Sequence, residues 1–308
     1  MDINHFREFV YLAETLNFNT ASQHFFMSTS ALSKHIASME ETLGIRLFER
    51  DRHHVKLTDQ GQAFYTDAIG VLAAYDKALH NIETRKIGYD SILKVGYLRN
   101  ASRPFLAQFV QYLTTNYPNI SLEINCMEYI HLIDMHRTHQ VDVLLTMNLD
   151  PEARWACDYE PIYTDHFYAI ANMKSPLASM REGITSNDLC EKRLVLPYRD
   201  AYPGMAERFE QFLPEPVAAF DATFYRDIDT LYYEVESHGR VGFSSGHNIR
   251  QFSDRVTFLP VLDMDTEYEV CAQWLKDMSP ETVKIVRDAA AFCRKHMQNH
   301  PIPTTQER

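Results

Sequence analysis

Small polar residues at helical spacing are the first chemistry that this chain of 308 residues offers. Between Asn19 and Gly44, Leu32, Ile36, Met39 and Leu43 recur at intervals that place them on one face of a helix. Thr29, Ser30, Ser33, Lys34 and Ala37 then fall on the opposite face. That face is narrow, slightly basic and free of bulk, so its hydroxyls and its ammonium suit base edges and phosphates in a DNA major groove. A second set, Arg50, Arg52, His53 and His54, lies between two short strand-like runs, Leu47-Phe48 and Val55-Lys56-Leu57. These residues would hold the phosphate backbone, the histidines more strongly as the pH falls. A third set lies in Leu98-Arg-Asn-Ala-Ser102, after a predicted strand and before a predicted helix opening at Pro104. Ligands of doubly wound lobes sit at such strand ends. The helix N-terminus with Arg99, Asn100 and Ser102 would receive an anion. Met147 and Asn148, and Tyr198 and Arg199, would close over a small carboxylate-bearing or partly aromatic ligand.

Three other constellations carry less. Gly242-Phe-Ser-Ser-Gly246 satisfies the G-x-S-x-G pattern of a nucleophile elbow, with Ser244 as the nucleophile. Sequence places no histidine and acid beside it, so a helix cap or an effector contact is the preferred reading. His131, His136 and His139 do not converge on one side of a helix, which favours a solvated face over a metal site. Cys126, Cys157, Cys190, Cys271 and Cys293 are widely spaced and contain no C-x-x-C, as expected of reduced thiols filling small gaps. No cofactor, no metal and no enzymatic activity are expected.

The elements that must position these groups are readable. An opening helix runs from about Asn4 to Leu16, with Phe6, Phe9, Val10 and Ala13 on one stripe. Asn19 is expected to cap the second helix and Ser28 the third, which Gly44 ends. From Asp59 to about Arg85, Gly61, Phe64, Ala68, Val71, Tyr75, Ala78 and Ile82 alternate steps of three and four, a seam of coiled-coil type that Thr58 would cap. Such a helix spans about 40 Å, too long for the small domain before it to cover, so a partner chain is expected.

Beyond residue 90, Leu93–Tyr97, Ser121–Cys126 and Val141–Thr146 read as strands. Helices are predicted between them at Pro104–Asn116 and Tyr129–His139, giving a βαβαβ order and a largely parallel sheet. Further strands are predicted at Phe167–Ala171, Arg193–Leu196, Val217–Phe220, Val241–Ser244, Val256–Leu259 and Tyr268–Leu275, and a closing helix at Pro280–Met297.

The N-terminal pattern resembles the winged helix-turn-helix of LysR-type transcriptional regulators. The resemblance rests on Phe6, Phe9, Ala13, Phe18, Ala21, Ser28, Ala31-Leu32-Ser33, Ile36, Glu40, Leu43-Gly44, Leu47-Phe48-Glu49-Arg50, Val55, Leu57-Thr58 and Gly61. The family usually has glutamine at Thr29, often proline at Ser30, and arginine near His53 and His54, departures that bear on base preference and phosphate attraction. Sparser matches continue the likeness: Leu93-Lys-Val-Gly96, Tyr117-Pro118, Val141-Asp142, Glu160-Pro161, Ser175-Pro-Leu-Ala178, Leu196-Pro197 and Gly239-Arg-Val-Gly242. The resemblance implies an α/β protein in three parts. Residues 1–58 form a winged helix-turn-helix DNA-binding domain, and 59–89 a linker and dimerisation helix. Residues 90–308 form a two-lobed effector domain similar to periplasmic binding proteins, with lobe one at 90–161 and 267–300 and lobe two at 162–266. It also implies a homodimer or homotetramer on double-stranded promoter DNA, controlled by a small-molecule effector.

Charge is no guide to a nucleic-acid partner. The net charge is −12, and residues 1–58 hold six lysines and arginines against seven acids, a net of −1. DNA contact must therefore come from placement rather than from a basic field. No apolar leader and no run of about twenty apolar residues occurs, so a cytoplasmic protein without a membrane span is expected. The competing class is a solute-binding or hydrolytic α/β protein whose N-terminal module contacts only protein.

Overall fold

The computed structural model describes residues 1–50, 55–86, 90–149 and 157–301. Arg52, His53 and His54 lie outside them. The chain divides into two compact units, Met1–Ser91 with Arg137–Gln140, and Ile92–His136 with Val141–Arg308.

In the first unit, α1 (Ile3–Thr15) starts at Asp2, whose carboxylate accepts the N–H groups of Asn4 and His5. Asn17 caps α2 (Phe18–His24), in place of the expected Asn19; its Oδ1 accepts the N–H groups of Asn19 and Thr20 at 2.9 and 3.1 Å. The cause is local: Leu16 turns through the left-handed region (φ 48), which leaves Asn17 as the extended residue that a cap requires. Asn19 instead accepts the hydroxyl of Thr29 at 3.1 Å. The turn into α3 (Thr29–Leu43) passes through Phe26, again left-handed (φ 53). Ser28 then caps α3, and Gly44 ends it at φ 70.

Phe9, Leu12, Ala21, Leu32, Ile36 and Phe48 form the buried centre of this unit. The hairpin β1 (Phe48–Arg50) and β2 (Val55–Leu57) is antiparallel. Glu40 ties it to α3 by accepting the N–H groups of Leu47 and Phe48 at 2.8 and 3.2 Å, charge-assisted bonds stronger than neutral ones. Helix α4 (Asp59–Lys86) begins where the Thr58 hydroxyl accepts the Gly61 N–H at 2.8 Å. Only glycine fits at 61, since a Cβ there would stand 2.0 Å from the Leu47 carbonyl oxygen. The seam of α4 is covered in part. Phe64 packs on Phe6 and Phe9 at 5.8 and 5.1 Å between ring centres, and Ala68 is buried. Further along, Val71, Tyr75, Leu79 and Ile82 are 44, 39, 47 and 56% exposed.

The second unit carries β3 (Ser91–Tyr97), α5 (Arg99–Ser102), α6 (Leu106–Asn116), β4 (Ile120–Cys126), α7 (Tyr129–Arg137) and β5 (Val143–Met147). They are followed by β6 (Cys157–Asn172), β7 (Leu194–Pro197), α8 (Pro203–Glu210), β8 (Ala222–Tyr225), α9 (Ile228–His238) and β9 (Gly242–Ser245). Helix α10 (Ile249–Phe252), β10 (Val256–Pro260), β11 (Glu267–Leu275) and α11 (Pro280–Asn299) complete it. The main sheet runs β10-β6-β11-β5-β3-β4, with β9 also on β6. β3 and β5 are parallel, but β11 opposes both β5 and β6, so the sheet is mixed rather than largely parallel. The run Val217–Phe220 is not a strand: Val217–Ala219 is a 3-10 turn after Pro216. The strand that pairs β7 is Ala222–Tyr225, in the register Leu194 to Ala222. A short apolar run does not say which residues will find a partner strand.

β6 changes partner midway. Its residues up to His166 pair with β11, and those from Phe167 pair with β9. Asp165 is buried at that change. Its Oδ2 accepts the Tyr268 hydroxyl at 2.8 Å and the backbone N–H of His247 at 3.0 Å, and lies 2.8 Å from His247 Nδ1. Its Oδ1 accepts the N–H of His166 at 2.8 Å. A Cβ at Gly246 would come within 2.3 Å of that oxygen, so glycine is required beside the carboxylate. β6, β11 and the turn after β9 therefore meet at one side chain.

Burial disfavours charge on Asp165, but the hydrogen bond and charge of His247, then the Tyr268 hydroxyl and the His166 N–H, outweigh it and hold the carboxyl below its ordinary value. A lowered folded-state pKa brings stability that is complete above the ordinary value of about 3.9 and is lost as pH falls through the lower folded value. Asp165→Asn should cost about 3–5 kcal/mol near neutrality, as for one partner of a buried pair, and should flatten the stability–pH curve below about pH 4. Urea unfolding at a series of pH values checks this; a variant as stable as the parent at pH 7 contradicts it.

Candidate nucleic-acid interface and effector site

α3 is one-sided. Leu32, Ile36 and Met39 are buried, while Thr29, Ser30, Lys34 and Ala37 are exposed and Ser33 is half-buried. The Thr29 hydroxyl is engaged by Asn19 and lies 3.2 Å from Ser22 Oγ, so α2 fixes the first turn of α3. Ser30 Oγ lies 3.0 Å from Ser28 Oγ. Arg50 ends β1, opposite Val55. The exposed polar residues thus share the N-terminal half of a helix anchored through its other face.

In the second unit the expected helix at Pro104 is two pieces. The four-residue α5 opens at Arg99 directly after Leu98, and α6 begins at Leu106, with the intervening residues in a turn. Arg99 is exposed. Asn100 Nδ2 donates to Asn248 Oδ1 at 2.8 Å, and Asn248 Nδ2 donates to Ser244 Oγ at 3.1 Å. Ser244 Oγ lies 2.7 Å from the Tyr232 hydroxyl. This polar chain joins α5 to the turn after β9, 148 residues away in sequence. Ser102 is fully buried, its hydroxyl donating to the Leu145 carbonyl at 3.1 Å, so it secures α5 to β5 rather than facing a cleft. Met147 is buried with its sulfur 4.0 Å from Ser245 Oγ. Tyr163, absent from the expected set, donates to the Ala101 carbonyl at 2.7 Å.

Tyr198 stands beside Phe224 and under Arg226, whose guanidinium carbon is 4.3 Å from the ring centre. Arg199 is spent on Glu210 at 2.8 Å, and Asn148 reaches Glu269 at 3.5 Å. The structure therefore joins Asn100, Ser102 and Met147 to the ends of β5 and β9, and places Tyr198 and Arg199 with other partners. A separate cavity of about 570 Å³, within the range of small-ligand sites, is lined by Tyr163, Thr164, His166, Glu269, Arg294 and Gln298 among others. Arg294 is held there by Glu160 and the Pro161 carbonyl.

The G-x-S-x-G segment does not assemble a triad. Ser244 is buried and bonded to Tyr232 and Asn248, whereas His247 is bound to Asp165. Among the histidines, α7 ends at Arg137, so His139 lies beyond it, with φ 56. The Cys271 thiol is pushed far up by burial, and that of Cys293 up to about 12 for the same reason, so neither is a reactive thiolate.

Comparison with known proteins agrees with this architecture. The bacterial regulatory helix-turn-helix family of LysR type matches residues 3–62, and the LysR substrate-binding domain matches residues 88–298. The HTH-type transcriptional regulator AlsR of Bacillus subtilis (strain 168) is 24% identical over 238 residues, covering 74% of this chain and 76% of that protein. The probable cat1 operon transcriptional activator of Acinetobacter lwoffii is 24% identical over 212 residues, 68% of each chain. The solved structure of CbnR, a LysR family transcriptional regulator, superposes with a TM-score of 0.68 at 14% identity, over 96% of this chain and 99% of that one. Full-length CbnR complexed with its target DNA gives 0.65 at 16% identity, over 95% and 100%. At such identity the structures establish the fold alone. The two family matches, covering the helix-turn-helix and more than half the chain, place this protein in the LysR family of transcriptional regulators.

Proposed function

We propose that α3 reads an operator through Thr29, Ser30, Ser33 and Lys34, that Arg50, Arg52, His53 and His54 hold the flanking phosphates, and that α4 pairs two chains. The carrying observation is the one-sidedness of α3: its apolar residues are buried while its N-terminal polar face is open. That is the arrangement by which a helix-turn-helix enters a major groove. The bare half of the α4 seam supports pairing, since Val71, Tyr75, Leu79 and Ile82 repeat at helical steps on an exposed face. Paired chains present two α3 helices to two half-sites. The protein regulates transcription rather than catalysing a reaction; the buried Ser244, apart from the Asp165–His247 pair, supports that reading.

The effector reading centres on α5 and the ends of β5 and β9. Arg99, exposed beside Asn100, supplies the positive charge for a small carboxylate, and Asn100, Asn248 and Ser244 supply a polar wall across the two lobes. Met147 adds an apolar surface, and Ser102 holds α5 in place. Tyr198 belongs to the opposite rim, with Arg226.

Three results are expected. Ser33→Glu sets a carboxylate against phosphate and should weaken operator binding about 100-fold or more with the thermal midpoint preserved, since good groove contacts are each worth about 1–3 kcal/mol. Unchanged affinity in a gel-shift titration would remove α3 from the groove. Val71→Glu with Ile82→Glu should turn a dimer into a monomer in analytical ultracentrifugation; an unaltered sedimentation coefficient excludes the α4 seam as the interface. Screening small carboxylates by thermal shift should find a ligand whose stabilisation falls at least tenfold in apparent affinity in Arg99→Ala. An equal response in that variant moves the site elsewhere, the cavity beside Arg294 being the next place to probe.

A further inference from the structure

A histidine pair and a buried carboxylate meet between α1 and α3, apart from both sites above. His5 and Glu8 are three residues apart on α1, hence on one face, and His35 comes from α3. One ligand atom from each of the three lies within 4.8 Å of the others. His35 Nδ1 is 2.7 Å from Glu8 Oε2, and the two imidazole rings are 4.7 Å apart between centres, tilted by 61°. The Glu8 side chain is only 5% exposed. A carboxylate so enclosed requires a positive partner or a proton, and in this structure His35 faces it at hydrogen-bond distance.

Two imidazoles and one carboxylate form a borderline donor set. It suits Zn²⁺, which binds nitrogen at about 2.0–2.1 Å and carboxylate oxygen at about 2.0–2.2 Å. Calcium and magnesium take oxygen ligands instead. Donors around one tetrahedral ion at those bond lengths stand about 3.4 Å apart. His35 Nδ1 and Glu8 Oε2 are 2.7 Å apart and all three donors lie within 4.8 Å of one another, so the set is close to that spacing. The charge is also favourable: an ion of +2 would meet the enclosed Glu8 carboxylate, in a domain whose first 58 residues carry a net of −1.

We propose that His5, Glu8 and His35 bind a divalent transition-metal ion of the Zn²⁺ type, which clips the recognition helix to α1. The fourth position falls to water, as in three-ligand zinc sites. His35 directly follows Ser33 and Lys34, so the ion fixes the part of α3 that carries the polar face.

The test uses the full chain, stripped with a chelator and then titrated with Zn²⁺ alone by calorimetry and thermal denaturation. One ion per chain should bind and raise the thermal midpoint by several degrees. Affinity should drop more than tenfold in Glu8→Gln, in His35→Gln and in His5→Asn. His5→Asn leaves the Glu8–His35 pair intact, so it reports on ligation even if the other variants fold poorly; metal-free circular dichroism establishes which variants are folded. Co²⁺ as a spectroscopic probe should give visible d–d bands without a thiolate charge-transfer band. No binding by the parent chain, one-site binding of equal affinity in His5→Asn, or a thiolate band that places the ion on cysteine would each overturn the proposal.

Discussion

A helix longer than the domain that supports it cannot bury its own apolar stripe, and that constraint organises the first unit of this protein. The winged domain covers α4 as far as Ala68 through Phe6, Phe9 and Phe64, with Gly61 pressed against the Leu47 carbonyl. From Val71 to Ile82 the stripe continues about half exposed, with Arg7 over the Tyr75 ring. At roughly 25 cal/mol per Å² of apolar surface, a stripe of four large residues is a substantial incentive to pair. Pairing through a helix rigidly packed on the winged domain would also set the separation of two α3 helices, and hence the spacing of the DNA sites they read. On that reading oligomerisation and operator geometry would be one property of α4.

The second unit has a comparable focal point at Asp165. There β6 leaves β11 for β9, and one carboxylate binds groups from β11, β6 and the turn after β9. The adjacent residue of that turn, Asn248, bonds to α5 through Asn100. A ligand that competes for Asn100 or Asn248 would act beside the crossing between lobes, where a small shift is converted into a change of lobe angle more readily than at a sheet interior.

Local rules carried the N-terminal domain far. Ser28 as a cap, Gly44 as a left-handed terminus and the inward set Leu32, Ile36 and Met39 depend on neighbours within one or two turns, and these were legible. Asn17 displaced Asn19 as the cap because the left-handed Leu16 was not visible in residue types. The strand lies at Ala222–Tyr225 rather than at the apolar run Val217–Phe220, since its register is set by β7 and not by its own hydrophobicity. Side-chain clusters were the least legible. Asp165 meets His247 across 82 residues and Tyr268 across 103, and neither carries a local signal. His5 and Glu8 had a readable helical spacing, but His35 joins them only through the packing of α3 on α1. Ser102 shows the reverse error: a residue type suited to ligand contact was used to fasten its own helix.

Hydroxyl-radical footprinting of the full-length protein on the intergenic DNA beside its own gene tests the central claim most directly. Paired chains presenting α3 to successive major grooves predict two related protected segments on one face of the duplex, centred about one helical turn (~34 Å) or a whole multiple of it apart. A single protected half-site at saturating protein, or protection indifferent to sequence, would contradict the account.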